Sequence, residues 1–165
     1  REVITRQKPA GFALSRQNLP VIDRGCCGSA EGVSKGAYVL CDVEGTPDVL
    51  LIASGSEVHV AMRASELLKS EGIKARVISA PCLEWFAEQP ESYRESVLPS
   101  SVKARVSVEA GIAMGWRDLV GDAGVCVSLE HFGASAAAGT LFKEFGFTAE
   151  NVAAAAKKSL AKVGA

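Results

Sequence analysis

Apolar and polar positions alternate along the chain in two periods, and the switches between them mark out its elements. Gly11-Phe12-Ala13-Leu14-Ser15 reads as a short strand, ending in the polar turn Arg16-Gln17-Asn18-Leu19-Pro20. Residues 20–36 mix Pro, Gly, Ser and single charges without apolar period, which is linker chemistry, and a domain boundary is placed near Ser34. Beyond it, Tyr38–Val43 and Val49–Ala53 are β-rich runs separated by Glu44-Gly45-Thr46-Pro47, which has the chemistry of a hairpin turn. The second run is apolar throughout, as a central strand covered on both faces should be.

Ser54 and Glu57 have the spacing of a capping box and predict a helix starting there. Val60, Ala61, Ala64, Leu67 and Leu68 form its apolar face, and Gly72 ends it; His59, Arg63, Glu66 and Ser70 fall opposite, so His59 is expected to face solvent. Ala75–Ser79 is the next strand, Pro90 opens a helical stretch through Val97, and Val102–Glu109 alternates into another strand. An amphipathic stretch with Trp116, Leu119 and Val120 precedes a strand at Val125–Leu129, and helices are expected at about 137–145 and 148–163. Thr148 is the cap of the last helix, Val152, Ala156, Leu160 and Val163 its buried stripe, and Lys157, Lys158 and Lys162 lie near its negative dipole end. This alternation predicts an α/β fold: an open, mostly parallel (mixed) sheet of about five strands with helices on both faces and right-handed crossovers.

Composition narrows the class. The chain has 165 residues, of which 48% are hydrophobic and 22% charged, so it is expected to form one domain with a real core and an attached segment. Apolar runs fall far short of the ~20 residues of a spanning helix, which excludes a transmembrane helix. Eighteen basic against nineteen acidic residues provide no global field for nucleic acid or an anionic bilayer. Residues 1–24 are locally basic, with five cations and two acids. Five cysteines without repeating spacing point to reduced thiols in a cytosol-like compartment, and Cys26-Cys27 are adjacent rather than at zinc-ligand spacing. The chain begins at Arg1 without Met or a signal pattern, as a fragment would.

Familiar catalytic signatures are missing: there is no G-x-S-x-G, no G-x-x-x-x-G-K-[ST] and no G-x-G-x-x-G after a strand. Gly55-Ser56-Glu57 could offer helix amides to an anion, but the expected capping box uses those donors. Glu109 stands at the carboxyl end of a strand, where open α/β sheets bind ligands, without a partner carboxylate nearby in sequence; a salt-bridged or interface role is expected. Trp85, Phe86, Trp116 and Phe132 read as core or subunit contacts rather than pocket walls. Arg16 is the one candidate binding residue: a guanidinium just past a strand can present two parallel donors to a phosphate, beside Ser15 and Gln17.

The strings Ser15-Arg16-Gln17-Asn18-Leu19-Pro20, Lys35-Gly36-Ala37-Tyr38-Val39-Leu40, Ile52-Ala53-Ser54-Gly55-Ser56-Glu57-Val58, Gly72-Ile73-Lys74-Ala75-Arg76-Val77, Tyr93-Arg94-Glu95-Ser96-Val97-Leu98-Pro99, Ser107-Val108-Glu109-Ala110 and His131-Phe132-Gly133-Ala134-Ser135, taken in order, resemble the C-terminal part of transketolases. The resemblance implies residues 1–34 as the last strand of the middle, pyrimidine-binding domain plus linker, and 35–165 as the C-terminal α/β domain. It implies transfer of a two-carbon ketol unit from a ketose phosphate to an aldose phosphate in the pentose phosphate pathway. It implies too that thiamine diphosphate, with Mg²⁺ or Ca²⁺, is held at a homodimer interface of the intact enzyme. By the same resemblance Arg16 binds the sugar phosphate, and this fragment holds neither cofactor nor metal, carries no catalytic residue and is inactive alone. The family's Gly-Asp-Gly thiamine motif has only a broken counterpart in Gly121-Asp122-Ala123. Phosphorylated sugars are the implied substrates, the cytoplasm the implied location, and neither nucleic acid nor a membrane an implied partner. A dimer-stabilising or ligand-binding regulatory module, and the same region of a dihydroxyacetone synthase, stand as alternatives. The resemblance supplies no role for the cysteines.

Overall fold

The computed structural model describes residues 2–164. Five strands form one sheet: β1 (Tyr38–Cys41), β2 (Val49–Ala53), β3 (Ala75–Ser79), β4 (Arg105–Val108) and β5 (Val125–Val127), in the order β1-β3-β2-β4-β5. β1 runs antiparallel to β3, and the other neighbours are parallel, with Leu51 opposite Val77 on one side and Val106 on the other. Among the described residues seven α-helices accompany them: α1 (Glu2–Arg6), α2 (Glu57–Ser70), α3 (Leu83–Ala87), α4 (Glu91–Val97), α5 (Arg117–Val120), α6 (Ala138–Glu144) and α7 (Ala149–Val163).

β2 explains the architecture. All five of its residues are fully buried, because its alternate side chains enter two separate cores. Val49, Leu51 and Ala53 pack with Val60, Ala61, Ala64 and Leu68 of α2 and Val152 and Ala156 of α7. Leu50 and Ile52 meet Phe86, Val97, Leu98 and Trp116 on the opposite face. α7 approaches closely through Ala153, Ala155 and Ala156, and buried Ser159 bridges two strands' ends by accepting from Arg105 N (3.0 Å) and donating to Ala123 O (2.9 Å). The Thr148 hydroxyl caps α7 by accepting from Asn151 N. At the end of its stripe Val163 is 40% exposed, and on α2 Leu67 is 38% exposed; both stand outside the core that the sequence pattern assigned them.

Three local expectations are corrected. The runs Tyr38–Val43 and Val49–Ala53 do not form a hairpin, because β3 lies between them. A strand apolar on both faces is stabilised at the sheet centre, while β1, buried only at alternate positions, suits the edge. The turn is held by β3 instead: Asp48 accepts from Lys74 N (2.7 Å), and Asp42 pairs with Arg76 (2.8 Å). Residues 11–15 form no strand. Among the described residues they pair with no strand, and Phe12 and Leu14 are 71% and 80% exposed, so an extended run here has neither a ladder partner nor an apolar face to cover. Ser54 does not cap α2: the helix begins at Glu57, and the position before it, Ser56, makes no side-chain cap. The charges of α1 dock on α3, where Arg6 lies 4.2 Å over the Trp85 ring, donates to Ser34 O and pairs with Glu88.

Candidate functional site

The crossover after β2 runs through α2 to β3 on one side, and the crossover after β4 runs through α5 to β5 on the other. The carboxyl ends of β2 and β4 therefore frame a topological switch point, the usual ligand crevice of an open α/β sheet. Ser54 and Gly55 follow β2 there, and Glu109 and Ala110 follow β4. The Ser54 hydroxyl donates to Glu109 Oε2 at 2.5 Å. Glu57, in the first turn of α2, turns its side chain inward, is only 5% exposed and accepts from the Ser56 hydroxyl. Burial pushes the Glu57 carboxyl above its ordinary range, with the Glu109 charge adding to the shift and the Ala110 backbone acting against it.

Glu109 thus has partners that lie far away in sequence. The serine and glutamate expected to cap α2 instead tie β2, α2 and β4 together. Glu57 could have been found from its helical spacing to Ala61, Ala64 and Leu68 on the buried face, but the capping reading assigned its side chain elsewhere.

The carboxyl of Glu57 has a stability consequence. A carboxyl held above its unfolded value binds its proton more tightly in the folded state, so its contribution is most favourable below the unfolded pKa and is lost as pH rises through the folded one. Glu57→Gln is therefore expected to melt at a higher temperature than the parent at pH 7, with the gap closing near pH 4. Thermal denaturation at the two pH values checks this, and an equal or lower melting temperature for the variant at pH 7 counts against it.

The segment carrying Arg16 lies across the same end of the sheet. Ser15 Oγ comes within 4.0 Å of where a Cβ on Gly55 would sit. Gln17, Asn18, Leu19 and Pro20 form one wall of a groove of about 650 Å³, opposite His59 and Arg63 of α2 and Phe142 of α6. Arg16 itself is exposed, and its guanidinium makes no hydrogen bond or ion pair with the described residues. His59 faces solvent only in part: it lines the groove against the segment, where burial and then the Arg63 cation lower its pKa, opposed by the Pro20 carbonyl. The sequence could not pair His59 with Pro20, since only the fold brings α2 to the linker. Phe86 and Trp116 are core residues, whereas Phe132 is 98% exposed.

A family model described as the Transketolase-like TK C-terminal domain matches residues 36–148. The chain belongs to the transketolase family. A transketolase of Mycobacterium tuberculosis is 53% identical over 97% of the chain and 24% of its own length. The crystal structure of a Pichia stipitis transketolase in complex with sedoheptulose-7-phosphate superposes with a TM-score of 0.77 at 40% identity, covering 88% of this chain and 20% of that one. The Leishmania mexicana transketolase gives 0.75 at 41% identity, covering 82% and 19%. The chain thus spans about a quarter or less of each of these three transketolases. Its mixed five-stranded sheet is the transketolase C-terminal fold. Among the described residues no helix is long and apolar enough to cross a membrane.

Proposed function

We propose that this chain is the C-terminal part of a cytoplasmic, homodimeric transketolase that moves a two-carbon ketol unit from a ketose phosphate to an aldose phosphate, with Arg16 binding the phosphate of the sugar. The observation that carries the reading is 53% identity to a transketolase across 97% of the chain. The sugar phosphate in the Pichia stipitis complex supports the substrate class. Support for Arg16 comes from its exposed guanidinium, free of described partners, on a segment at the carboxyl edge of the sheet. Phe12 and Leu14, exposed beside it, favour residues 1–34 as the end of a neighbouring domain and linker, and 35–165 as the terminal domain.

Thiamine diphosphate and its Mg²⁺ or Ca²⁺ do not fit the residues present. Among the described residues no group of three or more His, Cys, Asp and Glu is arranged to hold a metal ion. Asp122 of the broken Gly-Asp-Gly counterpart sits in the turn after α5, at the amino end of β5 and so at the edge of the sheet opposite Ser54 and Glu109. In this reading the cofactor is held by the rest of the enzyme, and this chain contributes substrate binding and structure. Purified alone and supplied with thiamine diphosphate, Mg²⁺, xylulose 5-phosphate and ribose 5-phosphate, it is expected to give no ketol transfer, whereas the full-length protein turns over. Turnover by the isolated chain, or none by the full-length protein, would overturn the reading.

A further inference from the structure

Three of the five cysteines, 26, 27 and 41, meet where the linker crosses the edge of the sheet. The Gly28 amide donates to Leu40 O at 2.7 Å, which pins the residue after Cys27 to the residue before Cys41. At Gly28 the linker backbone lies so close to β1 that a Cβ there would collide with the Val39 carbonyl. Cys27 Sγ consequently lies 3.3 Å from Cys41 Sγ, while the exposed Cys26 Sγ is 3.9 Å from Cys27. A groove lined by all three thiols, Met62 and Lys69 opens the site to small molecules.

We propose that Cys27 and Cys41 form a reversible disulfide on exposure to hydrogen peroxide, stapling the linker to the edge strand β1. Their sulfurs need to close by little more than 1 Å to reach the roughly 2.05 Å of a disulfide. Cys26 and Cys27 are an unsuitable pair despite their proximity: adjacent Cα atoms across a trans peptide are about 3.8 Å apart, below the ~4.4 Å at which disulfide spans begin. Burial, reinforced by the neighbouring Cys27, pushes the Cys41 thiol up to about 12, so it stays protonated at neutral pH. Cys27, half-buried at the groove, is therefore the thiol that meets the oxidant.

The Cys27 thiolate attacks one peroxide oxygen, the O–O bond breaks, and the released hydroxide takes the thiol's proton as a first water, leaving Cys27 sulfenic acid. The Cys41 sulfur, giving up its proton to the leaving hydroxide as it does so, then attacks the Cys27 sulfur. The S–O bond breaks, and hydroxide leaves with the Cys41 proton as a second water. Two thiols are oxidised by two electrons and one peroxide is reduced to two waters; an excess of small thiol returns both cysteines.

The test is peptide mapping of the full-length protein after peroxide treatment and alkylation. A Cys27–Cys41 linked peptide, lighter by two hydrogens and lost on reduction, is the expected result, and Cys26→Ser should leave its yield unchanged. In Cys41→Ser, Cys27 should accumulate as a sulfenic acid trapped by a 1,3-dione reagent. The proposal is overturned by unlinked Cys27 and Cys41 at peroxide levels that oxidise Cys26. A bond from either of them to another cysteine, or a link that thiol does not reverse, has the same consequence.

Discussion

In the full-length enzyme, Arg16→Ala is expected to raise the KM for xylulose 5-phosphate and ribose 5-phosphate about 10- to 150-fold while changing kcat much less. The size follows from losing a charge-assisted, two-pronged hydrogen bond to a phosphate, roughly 1.5–3 kcal/mol, at about 1.4 kcal/mol per tenfold. The direction follows from where the interaction acts: the phosphate is remote from the bond that breaks, so its binding is shared by ground and transition states and appears in KM. The folded chain has little to lose by the change. Arg16 is exposed and spends none of its donors on the described residues, so the variant should keep the parent's melting temperature. Arg16→Lys should recover only part of the affinity, because an ammonium keeps the charge without the planar pair of donors. An unchanged KM in Arg16→Ala would remove the phosphate role; a raised KM accompanied by a fallen melting temperature would reassign the residue to structure.

The parts of the fold legible in the sequence are those dictated by short-range pattern. β2 announced its central place by being apolar at every position, and α7 its start and buried face by Thr148, Val152 and Ala156. Whatever depended on which segments become neighbours was hidden. A turn sequence at residues 44–47 has the same local chemistry whether it joins paired strands or strands separated by a third, and the insertion of β3 is decided by burial in the whole sheet. The same limit applies at the site. Ser54, Glu57 and Glu109 meet only because β2 and β4 are adjacent, and His59 meets Pro20 only because the linker runs beside α2. Residues 11–15 failed as a strand for a related reason: alternation supplies the pattern, but the partner must come from elsewhere. Family resemblance reached further than pattern because it draws on the order of many motifs at once, yet it was silent on the thiols, whose proximity is a product of the linker's path across β1.

Gly36→Ala is expected to destabilise the chain by about 3–5 kcal/mol, lowering its melting temperature by roughly 10 °C or more. Two costs add at this position. Gly36 has φ +85°, where a side chain is strained by roughly 1–3 kcal/mol. In addition, a Cβ there would press into the backbone of the next layer, at Cys82 O and Phe86 N and at 2.8 Å from Trp85 C, all inside the 3.0 Å that real Cβ atoms keep. Neither side can yield cheaply. Gly36 O accepts from Cys82 N at 3.0 Å, its amide closes the turn of residues 30–35 by donating to Val33 O, and Phe86 is anchored in the core against Leu50 and Ile52. Moving α3 would also drag Trp85 from Arg6 and so loosen α1. Gly72→Ala separates the two costs. Gly72 has nearly the same φ, +81°, but open space where its Cβ would go, so only backbone strain remains and a loss of about 1–2 kcal/mol is expected. Chemical denaturation of the two variants beside the parent measures the difference. If Gly36→Ala were no worse than Gly72→Ala, α3 would have to be free to move away from the start of β1, and the close layer that sets the edge of this sheet would not be the constraint its contacts describe.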